Sequence, residues 1–243
     1  MSKTILITGA NRGIGLGLVE QFAQAGHRVL AGHRPGADIA ALLALATKYP
    51  GNHVQPFPIS QTDPDSVAAA AEALATEGLA LDILVNNAAV FPEKGSGSLS
   101  DIDLEALEEA FHVNVVGPLR VTRALLPALR AASQADQGAV VAHISSGVGS
   151  VSQRNMGGLN YAYSISKAAL NKAVRTLSCD PQFEGIAQVL FNPGWVKTDM
   201  GGENADLSLA DSVEPLAATI LKLGWENNGQ WLDRFGKASE FAW

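Results

Sequence analysis

The sequence has very little cysteine. Its 243 residues include only Cys179, which excludes an internal disulfide. No cluster of His and Cys with metal-ligand spacing accompanies this residue, so we expect no metal site. Free cysteines usually behave as small apolar side chains of the protein interior, and we expect Cys179 to be buried.

Positive charge and long apolar runs are also scarce. The 17 Lys and Arg are outnumbered by 24 Asp and Glu, and the formal net charge is −7. Because the basic residues are scattered, neither nucleic acid nor a membrane surface is expected as a partner. No apolar run approaches the about 20 residues of a membrane-spanning helix, and the first apolar run is too short for a signal peptide. We therefore expect a cytoplasmic protein.

The sequence does contain a regular alternation of short aliphatic or β-branched runs with alanine-rich helical stretches. This alternation predicts right-handed βαβ crossovers and one parallel sheet with helices on both faces. No repeat, linker or low-complexity tract interrupts it, so we predict a single doubly wound α/β domain over residues 1–243. The predicted strands, about seven in number, span residues 4–8, 28–32, 53–57, 82–86, 139–145, 187–192 and 230–235.

A glycine-rich segment, TGANRGIG at 8–15, follows the first predicted strand and opens a helix. Gly9, Gly13 and Gly15 allow a tight turn and a close approach of the backbone to a pyrophosphate, whose charge the free N–H groups of the helix N-terminus stabilise. A glycine triplet alone is weak evidence, and a glycine-rich turn without a ligand is the alternative. Its placement between a strand and a helix is typical of a Rossmann dinucleotide site.

The end of the second predicted strand indicates which dinucleotide binds. Sites for NAD usually have an acidic residue there, whereas this strand ends in AGHR and the next carboxylate is Asp38. The planar guanidinium of Arg34 is suited to a 2′-phosphate, and Arg12 in the glycine loop adds a second positive charge. We therefore predict NADP(H) rather than NAD(H). The alternative is that either arginine is an ordinary solvated surface charge.

The stretch YAYSISK offers two tyrosines ahead of one lysine, in a run that predicts the start of a helix. At about 100° per residue, Tyr163 and Lys167 lie one turn apart on the same face, while Tyr161 lies about 240° from the lysine. Only Tyr163 is therefore placed to act with Lys167. We interpret Tyr161 as a packing or pocket-wall residue.

Six short segments, which follow one another in order along the chain, together form a recognisable sequence pattern. They are TGANRGIG at 8–15, NNAA at 86–89, Asn114 in FHVNVVG, ISS at 144–146, YSISK at 163–167 and NPGWVKTDMGG at 192–202. Together they resemble the short-chain dehydrogenase/reductase family over nearly the whole chain. The late segments are most similar to its carbonyl-reductase-like branch, which includes the sniffer and C-factor proteins.

This resemblance implies a catalytic tetrad of Asn114, Ser146, Tyr163 and Lys167. Reduction of a carbonyl group needs a hydride from nicotinamide and a proton for the oxygen. A free tyrosine, with a pKa near 10, is poorly matched to this task at neutral pH. We expect Lys167, together with the positive ring of the oxidised nicotinamide, to lower the pKa of Tyr163. Tyr163 would then be the acid in reduction and the base in oxidation.

The other two tetrad members polarise the substrate and supply the proton. Ser146 would donate a hydrogen bond to the carbonyl oxygen. Its neighbour Ser145 is the rival, since alternation along a strand places the two on opposite faces, and the family uses the second serine. By resemblance, Asn114 anchors a water that links Lys167 to solvent. A capping or merely structural asparagine is the alternative.

The resemblance also implies a set of cofactor contacts. Two positions depart from the family pattern: Ala89 replaces a common glycine, and Ser60 replaces an aspartate that contacts adenine. Thr198 is implied to bind the carboxamide or the pyrophosphate. The implied cofactor-binding residues are Gly9, Asn11, Arg12, Gly13, Ile14, Gly15, Arg34, Ser60, Asn87, Ala88, Tyr163, Lys167, Pro193, Gly194, Val196 and Thr198.

Substrates of open α/β sheets bind outside the carboxyl ends of the strands, so loops after strands 4, 5 and 6 should form the pocket. The short segment 201–211 contains no bulky lid, which predicts an open site, and Gly157–Gly158 is a possible hinge. The candidate residues are mostly apolar and favour an apolar or aromatic carbonyl compound, although each is equally compatible with the core. They are Phe91, Val148, Met156, Trp195 and Met200.

We therefore predict an NADPH-dependent reductase of aldehydes and ketones. A nucleotide-binding signalling protein of C-factor type and a lyase or epimerase on the same fold are the alternatives. A serine hydrolase is disfavoured, because no G-x-S-x-G segment occurs and His143 reads as a strand residue. By resemblance, the apolar helices around 111–130 and 161–180 predict a homodimer, with a tetramer or monomer left open.

Overall fold

The computed structural model describes residues 2–51, 53–92, 98–134, 138–152 and 160–239. Seven strands form one sheet in the order β3-β2-β1-β4-β5-β6-β7, and every neighbouring pair is parallel. The predicted doubly wound α/β sheet is confirmed. The strands are β1 (Thr4–Ile7), β2 (Arg28–His33), β3 (Val54–Pro58), β4 (Ile83–Asn86), β5 (Ala139–Ile144), β6 (Ile186–Asn192) and β7 (Trp231–Asp233).

Helices cover both faces of this sheet, and two apolar clusters lie beneath them. Along β1, Ile5 and Ile7 belong to one cluster and Leu6 to the other, because successive side chains of a strand point to opposite faces. Coverage on both sides explains why the strands read as continuous apolar runs. The helices are α1 (Gly13–Gln24), α2 (Ala40–Lys48), α3 (Pro64–Thr76), α4 (Leu104–Phe111), α5 (Gly117–Ala124), α6 (Leu126–Ser133), α7 (Tyr161–Leu177) and α8 (Leu209–Ile220).

The polar stripe of α7 is the feature that matters most for a site. Its buried face carries the polar residues Ser166, Lys167 and Asn171, and it also carries Leu170 and Val174, which pack against side chains of β6 and β7. Burial of three polar groups on one helix face is costly unless each has a partner. The stripe therefore predicts a polar site where the start of α7 meets the sheet.

Helices α4 and α5 are continuous through a π turn, His112–Val116. The N–H of Gly117 bonds to His112 O, one residue further back than in an α-helix, and Pro118 has no N–H to offer. Insertion of one extra residue in the turn re-aims the side chains around it, Asn114 among them. The helix then breaks at Leu125, so the long predicted helix around 111–130 is divided.

Three further expectations concern Cys179, membrane-spanning helices and metal ligands. Cys179 is exposed, so the prediction that it is buried was wrong: the residue lies just beyond the end of α7, where the chain turns at the surface. Within the described ranges, no helix is long and apolar enough to cross a membrane. The same ranges contain no group of three or more His, Cys, Asp or Glu side chains arranged to hold a metal ion.

A row of buried polar side chains crosses the middle of the sheet. Asn86 Nδ2 donates to Thr122 Oγ1 at 2.9 Å and lies 3.3 Å from His143 Nδ1. On the other side of the ring, His143 Nε2 lies 3.2 Å from Gln188 Oε1. His143 is fully buried in β5, as a strand residue should be, and burial lowers its pKa to about 4.

His143 should make folding sensitive to acid. Between pH 6.5 and about 4 the unfolded chain binds a proton at this residue and the folded chain does not, so the free energy of unfolding falls as the pH is lowered through that range. The loss is roughly 3 kcal/mol once the pH reaches the folded pKa. Urea unfolding at pH 7 and pH 4.5 measures it. The neutral variant His143→Gln should flatten this pH dependence, whereas His112→Gln, at an exposed position, should not; equal slopes in all three proteins would contradict the assignment.

Candidate active site

The candidate site lies along the carboxyl edge of the sheet. The strand order reverses around β1, which sits between β2 and β4, and ligands of doubly wound sheets bind at such a reversal. The loops after β1, β2, β4, β5 and β6 meet there. These loops contain most of the predicted site residues, whereas Ser60 follows β3 and Asn114, Tyr163 and Lys167 lie on helical segments.

The glycine loop is shaped by close contacts that exclude side chains. Gly9 and Gly13 have positive φ angles of 64° and 55°. A Cβ on Gly9 would lie 2.9 Å from Ala88 Cα, and one on Gly15 would lie 2.3 Å from Gly9 O. The loop therefore needs glycine at all three predicted positions. It leads into α1 at Gly13, whose first N–H groups, Ile14 included, face the start of the helix and are suited to an anion.

The loop after β4 is bonded directly to the glycine loop. Asn87 Nδ2 donates to Thr8 O at 2.9 Å and to Gly9 O at 3.1 Å. Thr8 Oγ1 accepts from the N–H groups of Asn87 and Ala88, both at 3.1 Å. Asn87 and Ala88 thus lie where a cofactor contact was predicted, and their side chain and backbone also hold the glycine loop in shape.

A pocket lies at the ends of β2 and β3. It has a volume of about 350 Å³ and is lined by Arg34, Pro35, Gly36, Ala37, Ser60 and Asp63. The exposed Arg34 and the serine that replaces the family's aspartate therefore share one cavity, which suits an adenosine 2′-phosphate.

The acidic residues near this pocket already have local roles. Asp63 caps α3 by accepting from Asp65 N at 3.0 Å. Asp38 Oδ1 accepts from Ala40 N at 2.9 Å, at the start of α2, and its carbonyl accepts from Asn11 Nδ2 at 3.2 Å. Neither carboxylate stands at the end of β2, where an NAD ribose would need it.

Arg12 does not point at the Arg34 pocket. Its guanidinium forms an ion pair with Asp199 at 2.8 Å, and the two side chains are 67% and 78% exposed. An exposed pair of this kind contributes little stability and exchanges easily with solvent. Only Nη1 of the guanidinium takes part in this pair, and the predicted phosphate contact of Arg12 stays a prediction.

The segment after β6 crosses above the glycine loop. The methyl group of Thr198 lies 3.6 Å from the position of a Gly13 Cβ. Gly194 has a φ of 85°, and a Cβ there would lie 2.4 Å from Leu207 Cδ1. Val196 pairs with Leu207 in an isolated parallel bridge, and Pro193 O accepts from Ser212 Oγ at 2.8 Å. The segment is therefore held in place by Leu207 at its C-terminal end and by α8.

Tyr163 and Lys167 meet as their spacing predicted. The Lys167 ammonium lies 5.5 Å from the centroid of the Tyr163 ring and donates to Ile144 O at 2.9 Å. The lysine is only 2% exposed, while Tyr163 is partly buried. The Ser146 side chain lies close enough to the Tyr163 phenol to lower its pKa, which opposes the effect of burial. Three of the four predicted tetrad side chains thus form one group.

In the chain without a cofactor the pKa of Tyr163 is raised, whereas the expected lowering required both Lys167 and the oxidised nicotinamide and stays a prediction. Burial raises the pKa of Tyr163 to about 12, and the nearby Ser146 side chain offsets only part of this effect. Burial also lowers the pKa of Lys167 to about 8. The physical reason is desolvation of the charged forms, which outweighs their mutual attraction while the ammonium group is bonded to Ile144 O.

The serine pair is separated by strand alternation, as expected. Ser145 is 2% exposed and donates to Asn171 Oδ1, and Asn171 Nδ2 in turn donates to Gly149 O at 3.2 Å. Ser146 turns the other way, towards Tyr163, and accepts from Val148 N at 3.4 Å. The geometry therefore favours Ser146, although its catalytic role stays a prediction.

Asn114 uses its whole side-chain amide for protein contacts. Its Oδ1 accepts from Val90 N, and its Nδ2 donates to Val90 O, each at 2.9 Å. Nδ2 also donates to Ser166 Oγ at 3.0 Å, and that hydroxyl donates to Tyr163 O at 2.8 Å. The side chain thus joins the π turn, the loop after β4 and α7. A water relay through Asn114 would have to use its main-chain carbonyl.

Ser166 was missed by the sequence analysis, although a signal was present. It lies three residues after Tyr163 and one before Lys167, on the buried face of α7. A small polar residue at this spacing, in a helix with a polar buried stripe, predicts a contact to the main chain one turn back.

The predicted substrate residues are only partly brought together. The Phe91 ring lies 4.9 Å from the Tyr163 ring at a 39° tilt. Val148 follows Ser146 in a short 3₁₀ turn, Gly147–Gly149. Trp195 and Met200 are exposed at 52% and 37%, and the Trp195 indole donates to Gly201 O at 2.9 Å. Met156 and the Gly157–Gly158 hinge lie outside the described residues.

Comparison with known proteins agrees with this geometry. A family profile described as short chain dehydrogenase matches residues 3–207. The C-signal protein of Myxococcus xanthus is 45% identical over 168 residues, which cover 67% of this chain and 93% of that protein.

Solved structures extend the likeness to the whole chain. The carbonyl reductase Sniffer of D. melanogaster is 33% identical with a TM-score of 0.88, and all of both chains is covered. The NADPH-bound carbonyl reductase from chicken fatty liver is 32% identical with a TM-score of 0.89, covering 100% of this chain and 94% of that one. The profile, the sequence identity and the shared fold together establish that the chain belongs to the short-chain dehydrogenase/reductase family.

Proposed function

We propose that the protein is an NADPH-dependent reductase of aldehydes and ketones, which also catalyses the reverse oxidation. The observation that carries the proposal is the pair formed by Tyr163 and the buried Lys167, whose ammonium group lies 5.5 Å from the phenol ring and is bonded to the end of β5. The likeness to two carbonyl reductases, one of them NADPH-bound, supports it.

The residues of the candidate site fit a dinucleotide that carries a 2′-phosphate. Close contacts at Gly9 and Gly15 form a cradle that any side chain would fill, at the start of α1. Arg34 and Ser60 line the pocket that would take the 2′-phosphate and adenine. The cofactor supplies the hydride, and the chain supplies position and the proton.

The raised pKa of Tyr163 keeps the phenol protonated at neutral pH but makes it a weaker acid than free tyrosine, so proton transfer depends on groups that stabilise the phenolate. With a pKa of about 12 the phenol keeps its proton at neutral pH, so it is available to the carbonyl oxygen as negative charge develops there. Lys167, with a pKa of about 8, is still cationic at pH 7 and stabilises the phenolate that the transfer leaves behind. Ser146 hydrogen-bonds the same carbonyl oxygen.

The substrate proposed is an apolar or aromatic carbonyl compound. Phe91 lies against the Tyr163 ring, Val148 lies beside Ser146, and Trp195 and Met200 offer apolar surface to solvent near the segment after β6. A ring placed among such side chains gains apolar burial and ring stacking. Met156 remains a proposed member of this pocket.

We further propose a cytoplasmic homodimer built from single-domain chains. Leu104, Phe111 and Ile165 leave 66%, 43% and 45% of their surface exposed, on α4 and α7. Contact between two copies through these helices would cover them, because exposed apolar surface of this kind favours association.

A regulatory role is the second candidate function, favoured by the 45% identity to the C-signal protein. Such a protein would bind the dinucleotide without turning it over. Oxidation of NADPH in the presence of aromatic aldehydes or diketones separates the two, and it also separates a reductase from a lyase or epimerase on the same fold.

Replacement of Tyr163 by Phe should abolish turnover and leave the fold intact. A positioned proton donor contributes about 10²- to 10⁴-fold to the rate, so kcat should fall by about that factor while NADPH affinity stays within a fewfold. NADPH absorbance with an aromatic aldehyde and a fluorescence titration of the cofactor measure the two quantities. Tyr161→Phe is the matched control and should stay active; normal turnover in Tyr163→Phe would rule out the proposed acid.

Reduction should slow at alkaline pH. Since the pKa of Lys167 is lowered to about 8, the ammonium charge that stabilises the phenolate is present below that pH and is lost as the pH rises through it. We expect kcat/KM for carbonyl reduction to fall about tenfold per pH unit above about pH 8. Steady-state rates from pH 6 to 10, with circular dichroism to verify folding, test this. A flat profile up to pH 10 would contradict the role of Lys167.

Arg34 should decide the cofactor preference. Removal of a guanidinium from a 2′-phosphate costs about 1.5–3 kcal/mol, so Arg34→Leu should raise KM for NADPH about 10- to 100-fold and leave KM for NADH nearly unchanged. Arg130→Leu, at an exposed position on α6, is the control. Equal use of NADH and NADPH by the unmodified protein would refute the assignment.

A further inference from the structure

Gln61 is a buried side chain beneath the candidate cofactor pocket. It follows β3 and is 6% exposed, whereas its neighbour Ser60 lines the pocket that contains Arg34. The Gln61 side chain reaches the loop after β4 and the π turn instead: its Nε2 donates to Ala88 O at 3.0 Å and to Val113 O at 2.9 Å. One amide group therefore connects a cofactor loop with the helix that carries Asn114.

The bond to Val113 O compensates for a gap in the helix. In an α-helix this carbonyl would accept from Gly117 N, and in a π turn from residue 118. The Gly117 N–H bonds to His112 O, and Pro118 has no N–H. Both helix donors are thus lost to Val113 O, and Gln61 supplies the replacement from 52 residues away in the sequence.

The orientation of the amide is determined by its two acceptors. Both Nε2 hydrogens point at carbonyl oxygens, and the reverse orientation would set Oε1 against two carbonyls. As a consequence Oε1 is buried and has no hydrogen-bond partner within the described part of the chain. The structure leaves one buried acceptor unpaired and in this way satisfies two main-chain carbonyls. This indicates that the two bonds from Gln61 Nε2 are the important contacts of the side chain.

Gln61 and the π turn also fit each other in shape. A Cβ on Gly117 would lie 2.8 Å from Gln61 Cγ and 2.9 Å from its Cδ, so only glycine leaves room for the side chain. Arg120 of α5 donates to the main-chain carbonyl of Gln61. The residue is therefore held by α5 through its backbone while its amide holds the π turn.

We propose that Gln61 is a positioning residue, which keeps the π turn in the geometry that brings Asn114 to α7 and ties that turn to the cofactor loop at Ala88. The inference rests on the proposed reductase function. Asn114 bonds to Ser166, and Ser166 bonds to the main chain of Tyr163, so a shift of the π turn is passed to the proton donor. Gln61 acts only through these residues.

Two substitutions test the proposal. Gln61→Met keeps the length of the side chain and removes both donors, and Gln61→Glu keeps its shape and replaces the donors with an acceptor. In both, kcat for carbonyl reduction should fall at least tenfold while KM for the carbonyl substrate stays within threefold. Backbone amides of residues 112–117 should exchange hydrogen faster by mass spectrometry, whether or not turnover is measurable.

The matched control is Gln188→Met, since Gln188 is also buried and its amide bonds to His143 of β5 and to Ile186 O of β6, away from the π turn. It should lower the melting temperature without changing kcat or exchange at 112–117. An unchanged kcat in folded Gln61→Met, or an equal loss of kcat in Gln188→Met, would overturn the proposal. If the unmodified protein oxidises no NADPH with any carbonyl compound, the reductase function fails, and exchange at 112–117 alone decides: faster exchange in Gln61→Met supports the brace and unchanged exchange overturns it.

Discussion

The site depends on one buried cation. Lys167 is almost completely enclosed between β5 and α7, where its ammonium group donates to Ile144 O and faces the ring of Tyr163. Removal of a charge from water is costly, and the cost is visible as a pKa lowered to about 8. The same desolvation raises the pKa of Tyr163. The chain therefore holds a phenol that ionises less readily than free tyrosine beside an ammonium group that loses its proton more readily than free lysine. The two side chains form a favourable pair of opposite charges only when the phenol has lost its proton.

Neutral amide side chains hold the loops around this pair. Asn87 bonds the loop after β4 to the glycine loop, Asn114 bonds the same loop to α7, Asn171 bonds α7 to the turn after β5, and Gln61 bonds the π turn to Ala88. An amide offers two donors and an acceptor without a net charge, so it can satisfy loop carbonyls without placing another ionised group near Tyr163 and Lys167. Rigid support of this kind is what a site needs to keep its reacting groups in register.

The carboxyl edge of the sheet has two chemically different ends. The Arg34 and Ser60 end is polar and open, whereas the Phe91 and Trp195 end is apolar. Carbonyl reductases and the C-signal protein share this scaffold with the chain, so the fold by itself does not decide between turnover and a regulatory role. The side-chain geometry at Tyr163 is the more informative feature, because a protein that only bound the dinucleotide would have no need of a buried lysine beside a phenol.

Local patterns in the sequence determined the seven parallel strands, the glycine loop at the first strand–helix junction and the choice of Tyr163 over Tyr161, because strand alternation and helical spacing act over a few residues. Tertiary structure decided the rest. The direction of the Tyr163 pKa follows from burial, the exposure of Cys179 from the end of α7, and the pairing of Arg12 with Asp199 from the path of the chain above the glycine loop. The contact of Gln61 with Val113 joins residues 52 positions apart. Desolvation and long-range contacts exist only once distant segments have packed together, and no short-range pattern contains them.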